Sequence, residues 1–472
     1  MKKKGSSAGK LRPPIVSVVG HVDHGKTTLL DAIRKTDVAS REVGGITQSI
    51  GASVVETKNK KKITFIDTPG HAAFSKMRSR GAKVADIAVL VVAADDGVKP
   101  QTREALKYIR EADIPFIVAA TKMDLSSASA LKVRKGLEDE KVSFEKKGGD
   151  VVLIEVSAKK GKGLNELLEM INLVAEVSGV TGDPDGKLEA VVIETDKDKG
   201  GPLASVVVRN GTLKVAETIF ADGLSCKVKS LFGTEGEKID KALPGEPAQI
   251  LGFAQLLPVG SLVSDEPRER AAEGKEEESE RKPEGFPVIV KAKTTGSLEA
   301  VLSNLGESVS VVGSGVGEVS LSEVFLAKSA GATVIAYGVS VSKNVAKLAQ
   351  SEGVKIESFE LIYEIFERLE ELANQEPEDF LGRAEILASF PYNNKKVAGC
   401  IVLAGRISKN DKLILKREGE ELGFARVASL KKQKDEVNTV KEGEEFGVIL
   451  SPQLDFEIGD VLVSVKKKAR DN

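Results

Sequence analysis

The chain has 472 residues, enough for about three domains. Its 41% hydrophobic and 30% charged residues are ordinary for globular protein and exclude collagen-like, fully disordered and mini-protein classes. A net charge of −2 argues against a dedicated nucleic-acid coat but leaves an RNA partner open, because charge can be segregated between domains.

Residues 1–12, basic and rich in Gly and Ser, read as a flexible leader; Met1–Pro14 lacks the apolar stretch of a secretory signal. From residue 13 to 178, apolar β-branched runs (Ile15–Val19, Ile63–Ile66, Ile87–Ala93, Phe116–Ala120, Val151–Val156) separate helical stretches (Lys26–Arg34, Thr102–Ala112, Gly163–Ala175). That alternation predicts a doubly wound, mostly parallel sheet. Residues 186–264 carry short strands and Gly turns (Leu188–Glu194, Leu203–Arg209, Thr218–Ala221, Lys227–Ser230, Ala248–Leu251), which predicts a small β-barrel. Residues 265–285 are charged and read as a solvated linker. Residues 286–357 alternate again, with strands at Val288–Ala292, Val309–Val312, Thr333–Ala336 and Val354–Ile356, and read as a small α/β sandwich. Leu361, Ile362, Ile365, Phe366, Leu369 and Leu372 form one helical stripe, which predicts a connecting helix over 358–375. Residues 376–468 read as a second β-barrel; its segment 397–409 echoes 201–213 of the first. The fold class is α/β multidomain. No run reaches the roughly 18 apolar residues of a spanning helix, so no membrane partner is expected. Cys226 and Cys400 offer neither a disulfide framework nor metal-ligand spacing, which suits a reducing cytoplasm.

The chemistry sits in four segments. Gly20-His21-Val22-Asp23-His24-Gly25-Lys26-Thr27, followed by Thr28, fits G-x-x-x-x-G-K-[ST] between a strand and a helix. Its backbone amides and the helix dipole suit phosphate, Lys26 adds a point charge, and the Thr27 hydroxyl is a hard ligand for Mg²⁺. Asp67-Thr68-Pro69-Gly70 follows the next strand; the carboxylate can hold Mg²⁺ through water and the Gly70 amide can meet a γ-phosphate. Thr121-Lys122-Met123-Asp124 offers a carboxylate to the N1 and N2 of guanine, a pair of donors adenine lacks. Ser157-Ala158-Lys159 can close over the base. Each follows a strand, so all four converge at the carboxyl edge of one sheet.

These segments resemble the G motifs of translational GTPases. "GHVDHGKTTLLDAIRKTDVASREVGGITQSIGA", "FIDTPGHAAFSKMRSRGA" and "VLVVAADDGVKPQTREAL" are similar to the bacterial translation initiation factor 2 family, and the likeness continues through "GGPLASVVVRNGTL", "VKAKTTGSLEAV" and "VAGCIVLAGRI". The resemblance implies a cytoplasmic monomer that binds GTP or GDP with Mg²⁺. It implies both ribosomal subunits and initiator formylmethionyl-tRNA as partners, promotion of subunit joining, and hydrolysis triggered by the ribosome. It assigns His71 to orienting the attacking water, Thr47 (in Gly44-Gly45-Ile46-Thr47) as a second hydroxyl ligand of Mg²⁺, Val22 and Ile46 to an apolar gate, and Asp23 to a monovalent cation. No arginine finger is evident in cis, which implies slow unaided turnover. In the last barrel it assigns Cys400, Lys431, Lys432, Lys434, Glu445 and Gly447 to the tRNA end. Gln433, Phe446 and Leu387 depart from the family's aromatic, Cys and Arg there, so selectivity for the formyl group stays open. Thr121 stands where the family usually has Asn. On this reading the family's long N-terminal extension is expected to be absent, and the helix expected between the second and third domains is reduced to Asp265–Glu284. The competing readings are another ribosome-associated GTPase of elongation or rescue type, a nucleotide-gated RNA-binding module with little hydrolysis, and an ATP hydrolase, which Asp124 opposes. An elongation factor lacks an α/β domain between two barrels.

Overall fold

The computed structural model describes residues 10–36, 51–69, 72–145, 148–198, 200–267, 285–306, 308–374, 380–392, 395–417, 420–433 and 435–465. Residues 44–47, Gly70, His71, Lys434, residues 1–9 of the expected leader and 268–284 of the expected linker lie outside them. The chain divides into two compact units, Met1–Ala373 and Asn374–Asn472.

The first unit opens with a six-stranded sheet: β1 (Ile15–Gly20), β2 (Gly51–Glu56), β3 (Lys62–Asp67), β4 (Ile87–Ala93), β5 (Phe116–Thr121) and β6 (Val152–Glu155), in the order β2-β3-β1-β4-β5-β6. Only the β2–β3 pairing is antiparallel. Every residue of β1 and β4 is buried, because helices cover both faces. These are α1 (Lys26–Arg34), α2 (Ser75–Val84), α3 (Pro100–Ala112), α4 (Ala130–Asp139) and α5 (Leu164–Val177). Successive β4 residues alternate between two cores: Val89 and Val91 pack with Leu30 of α1 and Ile171 of α5, Leu90 and Val92 with Leu106 of α3 and Leu137 of α4.

The edge strand β2 and the helices α2 and α4 go beyond the sequence reading. The buried face of α2 includes Arg78 and Gly81 beside Met77, Ala82 and Val84, and α4 buries only Val133 and Leu137. Neither helix carries a strong apolar stripe.

An antiparallel eight-stranded sheet follows, built from Glu189–Asp198, Gly201–Asn210, Thr218–Ala221, Leu224–Lys227, Ser230–Phe232, Lys238–Ile239, Pro247–Leu251 and Leu262–Ser264. The single strand expected at Lys227–Ser230 is two strands. Asp222 and Gly223 both have left-handed backbone (φ 49° and 75°), which reverses the chain into a hairpin ending at Lys227. The sandwich holds four parallel strands, Phe286–Ala292, Val309–Val316, Thr333–Tyr337 and Ile356–Phe359, with helices α6 (Thr295–Leu302), α7 (Leu321–Ala330) and α8 (Lys343–Glu352). The last strand runs to Phe359 instead of ending at Ile356, because Phe359 pairs with Tyr337.

The helix α9 (Ile362–Asn374) begins later than the connecting helix expected from 358. It is no free-standing spacer over its first turns: Ile362, Ile365 and Leu369 are buried in the first unit. That same core takes Phe74 and Met77 from beside and within α2, Val191 and Ile193 from the barrel, and Val290 and Ile335 from the sandwich. Three sheets therefore share one hydrophobic core, to which Ala73, Phe74 and Met77 also contribute.

In the second unit, Phe380–Tyr392 pairs with both Lys395–Ser408 and Val461–Val465, which closes a ring with Lys412–Arg417, Glu420–Lys432 and Glu445–Ser451. The pairings repeat those of the first barrel. Gly201–Asn210 lies between Glu189–Asp198 and Pro247–Leu251, as Lys395–Ser408 lies between Phe380–Tyr392 and Glu445–Ser451. Among the described residues, no helix is long and apolar enough to cross a membrane.

Candidate functional site

The phosphate-type loop runs from the end of β1 into α1. Gly25 takes a left-handed conformation (φ 82°) at the helix N-cap, where a side chain would be strained. Lys26 is 7% exposed, and its Nζ donates to the carbonyls of Gly20 (3.1 Å) and His21 (2.7 Å). Burial pulls its pKa down to about 8, against the attraction of Asp67 and Asp23 and with the repulsion of Arg78. Phosphate oxygens would give this ammonium anionic acceptors in place of carbonyls, and charge-assisted bonds are roughly twice as strong.

His24 is buried, with Nε2 3.4 Å from Asp96. Burial, reinforced by His21, lowers its pKa to about 4 against the pull of Asp96, so its imidazole is neutral at pH 7. His21 lies edge-on to it, ring centroids 4.9 Å apart. Val22 N–H donates to Gln101 Oε1 (3.0 Å), which ties the loop to the first turn of α3. Asp23 has a left-handed backbone (φ 61°) and Thr28 is exposed.

Asp67, 5% exposed, ends β3, and the Thr68 hydroxyl donates to the carbonyl of Val18 (2.9 Å). A Cβ on Gly81 of α2 would lie 2.7 Å from Thr68 Cγ2, so this close approach requires glycine. Pro69 O accepts from Arg78 (3.3 Å). Thr27 in the first turn of α1 and Asp67 supply hard oxygens that suit Mg²⁺. Among the described residues no cluster of three or more His, Cys, Asp or Glu is found.

Beyond β5, the Thr121 hydroxyl donates to His24 O (2.6 Å) and Met123 N–H to Val156 O (3.2 Å). Lys122 turns the chain with φ 58°. Asp124 Oδ1 accepts from the buried Ser157 hydroxyl (2.7 Å), the first cause of its lowered pKa. Ala158 and Lys159 continue that turn, and Ser157 Oγ also accepts from Lys160 N–H. The structure thus brings Lys26, Asp67, Thr121, Asp124 and Ser157 to one sheet edge. Gln101, Asp96 and Arg78 were missed by motif reading, although all three lie inside the segments that carry the likeness.

The second unit holds a cavity of about 590 Å³. Cys400, Lys431, Lys432, Glu445 and Gly447 line it together with the departing residues Leu387, Gln433 and Phe446. Register explains the convergence: Cys400 pairs with Phe446, and Gly447 with both Gly399 and Lys431. Cys400 is only 2% exposed and burial pushes its thiol up to about 12, so it is a wall and not a nucleophile. Lys432 pairs with Glu444 at 2.8 Å. Leu387 (44% exposed) and Phe390 (56%), the latter missed in the sequence, give the lining an apolar part.

A phosphate loop, a D-T-P segment and an aspartate held by Ser157, gathered at the carboxyl edge of a doubly wound sheet, define a P-loop GTPase. Residues 12–176 match the family model described as the elongation factor Tu GTP binding domain, 187–266 match elongation factor G domain 2, and 263–370 match translation-initiation factor 2. The chain is 42% identical to translation initiation factor IF-2 of Halothermothrix orenii, over 96% of this chain and 71% of that protein. It is 41% identical to the IF-2 of Caldanaerobacter subterraneus subsp. tengcongensis (96% and 69%) and 40% identical to that of Aquifex aeolicus (95% and 60%). The chain belongs to the translation initiation factor IF-2 family; it is a guanine-nucleotide-binding translation initiation GTPase.

Proposed function

We propose that the chain loads GTP at the β1–α1 loop, promotes binding of initiator formylmethionyl-tRNA to the small ribosomal subunit and subunit joining, and hydrolyses GTP when the large subunit docks. It would act as a monomer in the cytoplasm. Lys26 binds the outer phosphates, and Asp124, preset by Ser157, reads guanine. Thr27, Thr47 and Asp67 (through water) would hold Mg²⁺, which would neutralise charge on the phosphates. Asp23 would serve a monovalent cation. His71 orients the attacking water, and Val22 with Ile46 gates its approach. The cavity lined by Cys400, Lys431, Lys432, Glu445 and Gly447, with Lys434 beyond it in the sequence, would receive the aminoacylated tRNA end. The lysines there suit phosphate and the apolar wall an uncharged acyl group.

The observation that carries this reading is the convergence of Lys26, Asp67 and Asp124 on one sheet edge. GTP turnover with and without large subunits tests it. Turnover should rise with subunits and collapse in His71→Ala; a rate indifferent to both overturns the mechanism. Binding of formylated and unformylated initiator tRNA to the full chain tests the cavity, and equal affinities would remove formyl selectivity.

A further inference from the structure

Arg78 is a fully buried cation that no G motif accounts for. Desolvating a guanidinium costs several kcal/mol unless its donors are met. One arm donates to Glu104 Oε2 of α3 at 2.7 Å, the other to the carbonyl of Pro69 at 3.3 Å. Glu104 is itself fixed, its Oε1 accepting from the Tyr108 hydroxyl (2.7 Å) one turn on. Gln101, three residues before Glu104 and therefore on the same face of α3, holds Val22 N–H of the phosphate loop. One helix face thus grips both walls of the nucleotide site: the phosphate loop through Gln101 directly, the Asp67–Pro69 segment through Glu104 and Arg78. Arg80, two residues on and so turned to another side of α2, binds Glu299 of α6 at 2.5 Å instead.

We propose that Arg78 is a positioning residue for the GTPase: braced by Glu104, it sets the distance between the phosphate loop and the segment after Asp67, and so favours nucleotides that carry a γ-phosphate. The fork geometry matters. Lysine keeps the charge but has a single nitrogen, which cannot serve two acceptors on different elements with the same fixed spread. On the functional reading above, the Gly70 amide that follows Pro69 would meet the third phosphate, whereas the first two phosphates would belong to the β1–α1 loop. Loosening Pro69 therefore touches triphosphate binding and leaves diphosphate binding largely alone.

The proposal rests on the guanine-nucleotide site described above, and its test keeps the two separable. Affinities of the full chain for fluorescent GDP and for a non-hydrolysable GTP analogue are measured in wild type, Arg78→Lys and Glu104→Gln. Wild-type binding of GDP checks the site itself. Arg78→Lys should weaken the analogue about tenfold and GDP less than about threefold, as expected for one lost buried charge-assisted bond. Glu104→Gln keeps size and an acceptor, and should fall between. Equal losses for both nucleotides in Arg78→Lys mean a purely structural role and overturn the proposal, as does an unchanged analogue affinity. Should Arg78→Lys fail to fold, Glu104→Gln decides on the same ratio.

Discussion

The hydroxyl of Thr121 donates to the main-chain carbonyl of His24 at 2.6 Å, so the base-reading segment and the phosphate loop are joined by one short bond between side chain and backbone. Both partners are buried, which makes the bond costly to leave unmade. Thr121→Val keeps the shape and removes the donor. It should weaken GDP by about three- to tenfold, while Thr121→Ser stays within about twofold of wild type. Displacement of a fluorescent GDP measures both; a Val variant as tight as wild type would show the bond to be idle.

Asp124 is held ionised below its ordinary range chiefly by the Ser157 hydroxyl. Asp124→Asn puts an amide where guanine presents two donors. GTP affinity should drop by about a thousandfold or more, because the mismatch strands polar groups. Xanthosine triphosphate, with an oxygen in place of the guanine amino group, should bind this variant better than GTP. Competition between the two nucleotides decides the matter.

Lys26 titrates near 8 because it is buried. Nucleotide adds negative charge beside it, so the bound state holds the proton more firmly than the free state. Affinity should be flat below about pH 8 and fall above it by at most about tenfold per pH unit, with proton uptake on binding. Calorimetry in buffers of different ionisation heat reads that uptake directly. Lys26→Ala should abolish both the slope and most of the affinity.

Glu194 lies 5% exposed where the first barrel meets α6, its Oε1 accepting from the backbone of Thr195 (3.0 Å) and Gly296 (3.1 Å). Burial outweighs these bonds and raises its pKa. A raised carboxyl favours the protonated folded form. Its stabilisation is therefore present below the ordinary glutamate value and lost as pH climbs through the raised one. Glu194→Gln should flatten the decline of stability between those two pH values. Urea melts across the acidic range measure it, and an unchanged slope would mean the carboxylate is compensated in place.

The phosphate loop was legible because backbone chemistry dictates residue identity at fixed spacing: Gly25 for its left-handed angle, Lys26 for its charge. Continuous burial made β1 and β4 equally plain. The Asp222-Gly223 turn was written in the chain too, yet the strand expected at Lys227–Ser230 spans the break between Leu224–Lys227 and Ser230–Phe232, which depends on which neighbours each half pairs with. Arg78, Glu104 and Gln101 were illegible for a different reason. Their meaning comes from α2 and α3 lying side by side, and nothing local distinguishes a buried arginine from a solvated one. In the second barrel the cavity residues could be named singly, but their meeting depends on the register that sets Cys400 opposite Phe446.

The core shared by the nucleotide sheet, the first barrel and the sandwich has a thermodynamic corollary. Neighbours that draw on one reservoir of apolar contact cannot melt independently, so heat should dissolve residues up to Ala373 as a single cooperative block, with the ring of strands after it free to follow its own transition. Whatever loosens the segment after Asp67 is then felt in the barrel and the sandwich as lost cohesion, before any hinge has turned.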